Sequence, residues 1–156
     1  MKRSRKIVMG LLAVIILIQF IRPAKNAGNI ALGSDITHTV NIPVTILNRL
    51  KTSCYDCHSN NTNYPWYSNI QPLGWWLAHH IKEGKAELNF NDFSSYSKRR
   101  QLSKLKAIAE SIQDGSMPLS SYRLIHQSAK LSTEDKKRIM VWAGEAQDSL
   151  TKIYEQ

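Results

Sequence analysis

Ile42-Pro43-Val44-Thr45-Ile46-Leu47-Asn48-Arg49-Leu50-Lys51-Thr52-Ser53-Cys54-Tyr55-Asp56-Cys57-His58 is the stretch on which the fold turns. Ile42, Ile46 and Leu50, helped by Leu47, recur at helical spacing. Asn41 and Pro43 supply a helix start, because proline suits a first turn whose N–H groups have no partner anyway. The predicted helix runs straight into two cysteines and a histidine. Two thiols at C-x-x-C spacing on one helical turn can each form a thioether with a haem vinyl group. The imidazole that follows then comes under the iron as the proximal ligand. The residues therefore point to one covalent haem c, attached at Cys54 and Cys57 and ligated by His58.

Three other chemistries use similar residues. A zinc site needs four ligands, and two Cys with one adjacent His leave the fourth unassigned. A thioredoxin-like C-x-x-C expects alternating strands and helices around it, and no such pattern is visible. A disulfide between residues three apart closes too short a loop to restrict the unfolded chain much.

The residues ahead of the motif bear on the compartment. Met1-Lys2-Arg3-Ser4-Arg5-Lys6 is a basic cluster, and Ile7 to Ile21 is apolar except for Gln19. The pair reads as a secretory targeting signal. Arg22-Pro23-Ala24-Lys25-Asn26-Ala27 puts bulky polar groups where a peptidase needs small ones, so an uncleaved signal-anchor is expected. Fifteen apolar residues are few for a membrane span, which takes about 20. The positive-inside rule would leave everything after residue 28 on the periplasmic side of the inner membrane. The divisions expected are a signal-anchor over 1–28, a linker over 29–40 and a haem domain over 41–156.

Charge supports that division. The formal net charge is +9, yet residues 1–28 hold six basic side chains and no acid, and the remainder carries 15 basic and 12 acidic groups. The excess flanks the apolar segment, and no basic stripe accompanies a nucleic-acid-binding motif, so nucleic acid is not an expected partner.

After His58 comes the polar loop Ser59–Pro65, then the aromatics Trp66, Tyr67, Trp75 and Trp76. A short helix is expected around Gly74–Glu83 and a loop over Asn89–Tyr96. Leu102, Leu105, Ile108 and Ile112 give an amphipathic helix over 97–113 that ends near Gly115. Ser132 reads as the cap of a last helix, with Asp135 three residues on, and Ile139, Trp142, Ala146 and Leu150 form its apolar face. No alternating strand pattern occurs. The expected class is all-α, a cytochrome c-like bundle of about four helices around one haem, behind an N-terminal anchor helix.

Met117 is the first choice for the distal ligand, on a loop behind an amphipathic helix and stiffened by Pro118. His80 is the alternative. Its neighbour His79 lies about 100° round the helix, so only one of the two can face the iron. His126 and Arg123 are candidates for supporting roles, while His38 falls in the linker. Trp66, Tyr67 and Trp76 are expected to wall the haem pocket.

The text Ser53-Cys54-Tyr55-Asp56-Cys57-His58-Ser59-Asn60, Tyr64-Pro65-Trp66-Tyr67, Pro72-Leu73-Gly74-Trp75-Trp76, His80-Ile81-Lys82-Glu83-Gly84 and Gly115-Ser116-Met117-Pro118-Leu119 resembles the small haem-binding domain proteins of Gram-negative bacteria. The resemblance spans roughly residues 40–145. It implies a cytochrome-like haem c domain behind a signal or anchor. It carries over Cys54, Cys57 and His58, keeps both His80 and Met117 as distal candidates, and supplies no reaction. The function expected from the site is one-electron transfer. A peroxidase-like haem enzyme or a small-molecule sensor would instead need an open or displaceable distal position.

Overall fold

The computed structural model describes residues 2–28 and 33–156. Among these residues the regular structure is helical, with one isolated bridge between Ala27 and Asn61 and no strand. The all-α expectation is met.

Helix α1, Lys2–Ile18, is 17 residues long, about 25 Å at 1.5 Å per residue. Residues 3–17 are exposed throughout, so the helix projects from the rest of the molecule. No helix among the described residues is long and apolar enough to cross a membrane. This corrects the expected anchor helix, and Gln19 supplies a physical reason. Its side-chain amide bonds back to Ile15 O at 2.9 Å and across to the Gln71 carbonyl at 3.1 Å, and its Oε1 accepts from Gln71 N at 2.9 Å. The chain is tied to the domain there instead of continuing as helix.

Residues 29–32 of the expected linker lie outside the described residues. The part that follows is packed. Ile36 is fully buried in a short 3-10 turn, Ile36–His38, capped by Asp35, and Val40 just beyond it is nearly so. With only two apolar residues in a Gly, Ser and Thr-rich stretch, periodicity gave no warning of this.

Helix α2, Val44–Ser53, begins after Pro43 and delivers the short α3, Tyr55–His58. A 3-10 turn over Trp66–Asn69 precedes α4, Leu73–Glu87, which is longer than expected at its C-terminal end. Phe90–Ser95, expected as a loop, is a 3-10 turn whose Phe90 and Phe93 are among the most deeply buried side chains. Helix α5, Lys98–Gln113, starts at the Ser97 cap. Then come α6, Ser120–Ile125, and α7, Thr133–Tyr154, where Ser132 and Asp135 form the expected reciprocal capping box.

Two apolar clusters result. The larger gathers Ile36, Leu50, Phe90, Phe93, Leu105 and Ile139 between α2, α5 and α7, with Cys54 and Tyr55 packed on its edge. The smaller joins Tyr67, Leu77 and Ile81, with Cys57 and Tyr64 against it. The C-x-x-C-H turn therefore lies on the seam between the two clusters, one cysteine on each side.

Candidate haem site

Helix α3 is positioned from three directions. Tyr55 stacks on Phe90 with ring centroids 4.7 Å apart and planes 8° from parallel. Asp56 accepts from Asn63 N at 3.0 Å and from the Tyr122 hydroxyl at 2.6 Å. Behind Cys57 runs α4, so close at Gly84 that a Cβ there would lie 2.8 Å from the Cys57 carbonyl oxygen. Only glycine lets the two backbones approach this far.

His58 is held by its ring nitrogen Nδ1, which lies 3.0 Å from the Leu88 carbonyl. A carbonyl can only accept, so Nδ1 carries the proton and Nε2 keeps its lone pair. Burial pushes the imidazole below its ordinary pKa, so at neutral pH it is uncharged. A neutral imidazole with one nitrogen committed to a backbone carbonyl is the form that binds a metal.

Two cavities flank this ring, of about 180 and 320 Å³. Ser53, Cys54, His58, Glu87, Met117 and Pro118 line both. Leu50, Phe90, Ile108 and Ile112 make the wall of the smaller one, while Cys57, His80, Leu119 and Tyr122 belong to the larger. Both cysteines are free thiols. Burial, with the neighbouring thiol adding to it, pushes Cys54 up to about 12; burial, with the Asp56 charge, pushes Cys57 to about 11. The thiols are thus protonated and carry no charge into the apolar space between them.

The donor set fits a haem. An apolar double cavity is divided by an imidazole with an available nitrogen, two thiols sit beside that imidazole, and a thioether lines the same space. Ser53 lines both cavities, and its Oγ is buried with no hydrogen-bond partner among the described residues. A buried hydroxyl without a partner is costly, and an acidic group on a cofactor would satisfy it.

Met117 reaches this space because α5 stops where it does. Gly115 turns the chain with φ +77°, and Met117 N bonds back to Ser111 O at 3.0 Å. His80 lines the larger cavity and packs edge-on against Trp76 at 4.4 Å. The other histidines are engaged elsewhere. His79 is exposed and 3.2 Å from Glu83, His126 shares a 2.9 Å hydrogen bond with Tyr67, and His38 is exposed in its turn. Arg123 Nε is buried without a partner among the described residues, and its side chain lines neither cavity.

The aromatic residues expected around the cofactor do not line these cavities. Trp66 is 75% exposed on its 3-10 turn, Trp76 faces partly outward beside His80, and Tyr67 is buried in the smaller cluster. Aliphatic side chains of α2 and α5 with Phe90 form the apolar wall instead. Sequence reasoning missed Phe90 and the Asp56–Tyr122 pair; the first was hidden in an aperiodic stretch and the second is 66 residues apart.

The family model described as a haem-binding domain matches residues 13–145. The chain belongs to the haem-binding domain family. This haem-binding domain binds haem, and the match takes in the motif, both distal candidates and most of α7. No curated protein and no solved structure matches the chain.

Proposed function

We propose that this haem-binding domain is a mono-haem c-type cytochrome, held at the periplasmic face of the inner membrane, that carries single electrons. The observation that carries the reading is the committed His58 ring, its Nδ1 on the Leu88 carbonyl, between two cavities that Cys54 and Met117 also line. In this reading the Cys54 and Cys57 thiols would hold the haem through two thioethers, each made by addition of S–H across one vinyl group with nothing released. His58 Nε2 and the Met117 thioether would hold the iron.

Bound haem supplies the Fe(III)/Fe(II) couple. The chain's own residues keep the two ligands in place in both states, so that little rearrangement accompanies the electron. Leu88 fixes the imidazole. The Ser111 bond and the Gly115 turn hold the Met117 loop, and Tyr122 ties the segment after it to Asp56. Leu50, Ile108, Ile112 and Pro118 exclude water, which favours the less charged oxidation state of the site. A Met ligand in place of a second His raises the potential. The apolar, unpaired side chains of α1 behind a basic cluster support a membrane location.

One observation favours a second reading. His80 lines the same cavity as Met117, so the distal position has two candidates, and a displaceable ligand there would suit a haem enzyme or a small-molecule sensor. Absorption and magnetic circular dichroism of the purified ferric protein decide between them. The carrier reading expects a low-spin spectrum with the weak far-red charge-transfer band of Met ligation, lost in Met117→Ala and retained in His80→Ala. A low-spin wild type without that band, turned high-spin by His80→Ala and unchanged by Met117→Ala, would transfer the assignment, and a high-spin wild type would contradict the closed carrier.

A further inference from the structure

The end of α1 is fastened to a second apolar surface. Beyond the Gln19–Gln71 pair, the Trp75 indole donates to the Ile21 carbonyl at 2.7 Å, and Arg22 to Lys25 share a crevice with Ser68, Asn69 and Gly74. The chain leaving α1 therefore lies against the turn between Trp66 and α4. At that turn Trp66, Ile70, Leu73 and Trp76 are exposed, and Phe20 and Ile21 are exposed at the end of α1. Soluble monomers seldom leave so many large apolar side chains together in water.

Charge selects the occupant. No acidic residue occurs from Ser59 to Lys82 or anywhere in residues 1–28, while Arg22 and Lys25 are cations beside the patch. Nothing there would repel anionic lipid headgroups, and two cations would attract them. Indole rings pair an apolar body with an N–H, the combination that settles at a membrane–water boundary. The patch also continues directly from the helix that carries twelve consecutive uncharged, mostly aliphatic residues, Ile7–Ile18.

We propose that Trp66, Ile70, Leu73 and Trp76, with Phe20 and Ile21, form a lipid-contacting surface that seats the haem domain on the bilayer in one orientation. This rests on the membrane-held reading of α1 given above. A flexible tether would leave the domain free to tumble, whereas the Gln19 and Trp75 bonds fix the helix end to the domain. The orientation that results turns the Trp76–His80 edge of the larger cavity towards the lipid surface.

The test uses the full holoprotein in vesicles of phosphatidylethanolamine and phosphatidylglycerol. Val14, Trp66, Ile70 and Ile153 are replaced one at a time by photoreactive benzoylphenylalanine, all four being exposed positions. After flotation and irradiation, digestion and mass spectrometry read phospholipid adducts. A mass shift of one phospholipid is expected at positions 14, 66 and 70 and none at 153 on α7. Adducts at 14 with none at 66 and 70 would overturn the seating surface and leave the membrane reading standing. Failure to float, with no adduct at 14, would overturn both.

Discussion

Tyr122 donates its hydroxyl to Asp56 at 2.6 Å, joining the helix that follows Met117 to a residue between the two cysteines. The same ring stacks on His126, 4.2 Å away, and His126 bonds in turn to Tyr67 on the smaller cluster. Burial and the Asp56 charge push the phenol far above its ordinary pKa, so it remains a donor. Two segments that supply opposite sides of the proposed iron site are thus linked through the variable part of the C-x-x-C-H motif.

Tyr122→Phe removes that link and keeps the ring. A hydrogen bond to a charged group contributes about 1.5–3 kcal/mol, so denaturant unfolding of the holoprotein should show a loss in that range. The far-red band of Met ligation should weaken with it. An unchanged midpoint and an unchanged band would show that Asp56 and Tyr122 do not hold the distal segment.

Gly84→Ala puts a methyl group 2.8 Å from the Cys57 carbonyl oxygen, with Cys57 Cβ at 3.2 Å. The nearest obstacle is backbone and cannot swing away. Overpacking of this kind costs about 1–3 kcal/mol, and it bears directly on the helix that carries the cysteines. Lower thermal stability and less haem per chain on purification are expected. Normal loading and stability would mean that α4 can move aside.

The start of α7 gives a pH signature. The Ser132 hydroxyl, followed by the Ser132 backbone and Arg49, holds the Asp135 carboxyl below its usual range. A depressed folded-state value adds stability above the unfolded aspartate pKa of about 3.9, and that part is lost as pH falls through the folded value. Unfolding midpoints measured from neutral to acid should drop over that interval, and Asp135→Asn should flatten part of the drop. Ser132→Ala should cost about 1 kcal/mol at neutral pH. Identical acid slopes in wild type and Asp135→Asn would contradict the assignment.

The cysteines are separable. Cys54→Ser and Cys57→Ser should each retain haem through one remaining thioether, with a shifted visible spectrum from the surviving vinyl group. The double variant should release its haem to acidified organic solvent. Extractable haem from either single variant would mean that one sulfur cannot hold it alone.

Much of the fold was legible because helices advertise themselves by period. Leu102, Leu105, Ile108 and Ile112 located α5, and the Ser132–Asp135 pair located the start of α7 to the residue. Periodicity failed where burial depends on distant partners. Phe90 and Phe93 sit in a 3-10 turn with no repeat long enough to read, and Ile36 is buried from a stretch whose composition resembles a linker. The site divides the same way. The local motif Cys54, Cys57 and His58 was readable from spacing, whereas Leu88, Gly84 and Tyr122 act on it across 27 residues or more of chain. The aromatic cluster was ambiguous for a plain reason: large rings after the motif suit a cofactor wall or an exposed apolar surface equally well in composition, and spacing carries no information on exposure.

Covalent attachment is tested most directly on the peptide Thr52–Lys82, which trypsin releases with both cysteines in it. Isolated from denatured protein and weighed, it should carry the full mass of one haem, with no hydrogen lost, and absorb in the Soret region. A colourless peptide at its unmodified mass, with all the pigment in the organic extract, would contradict the account.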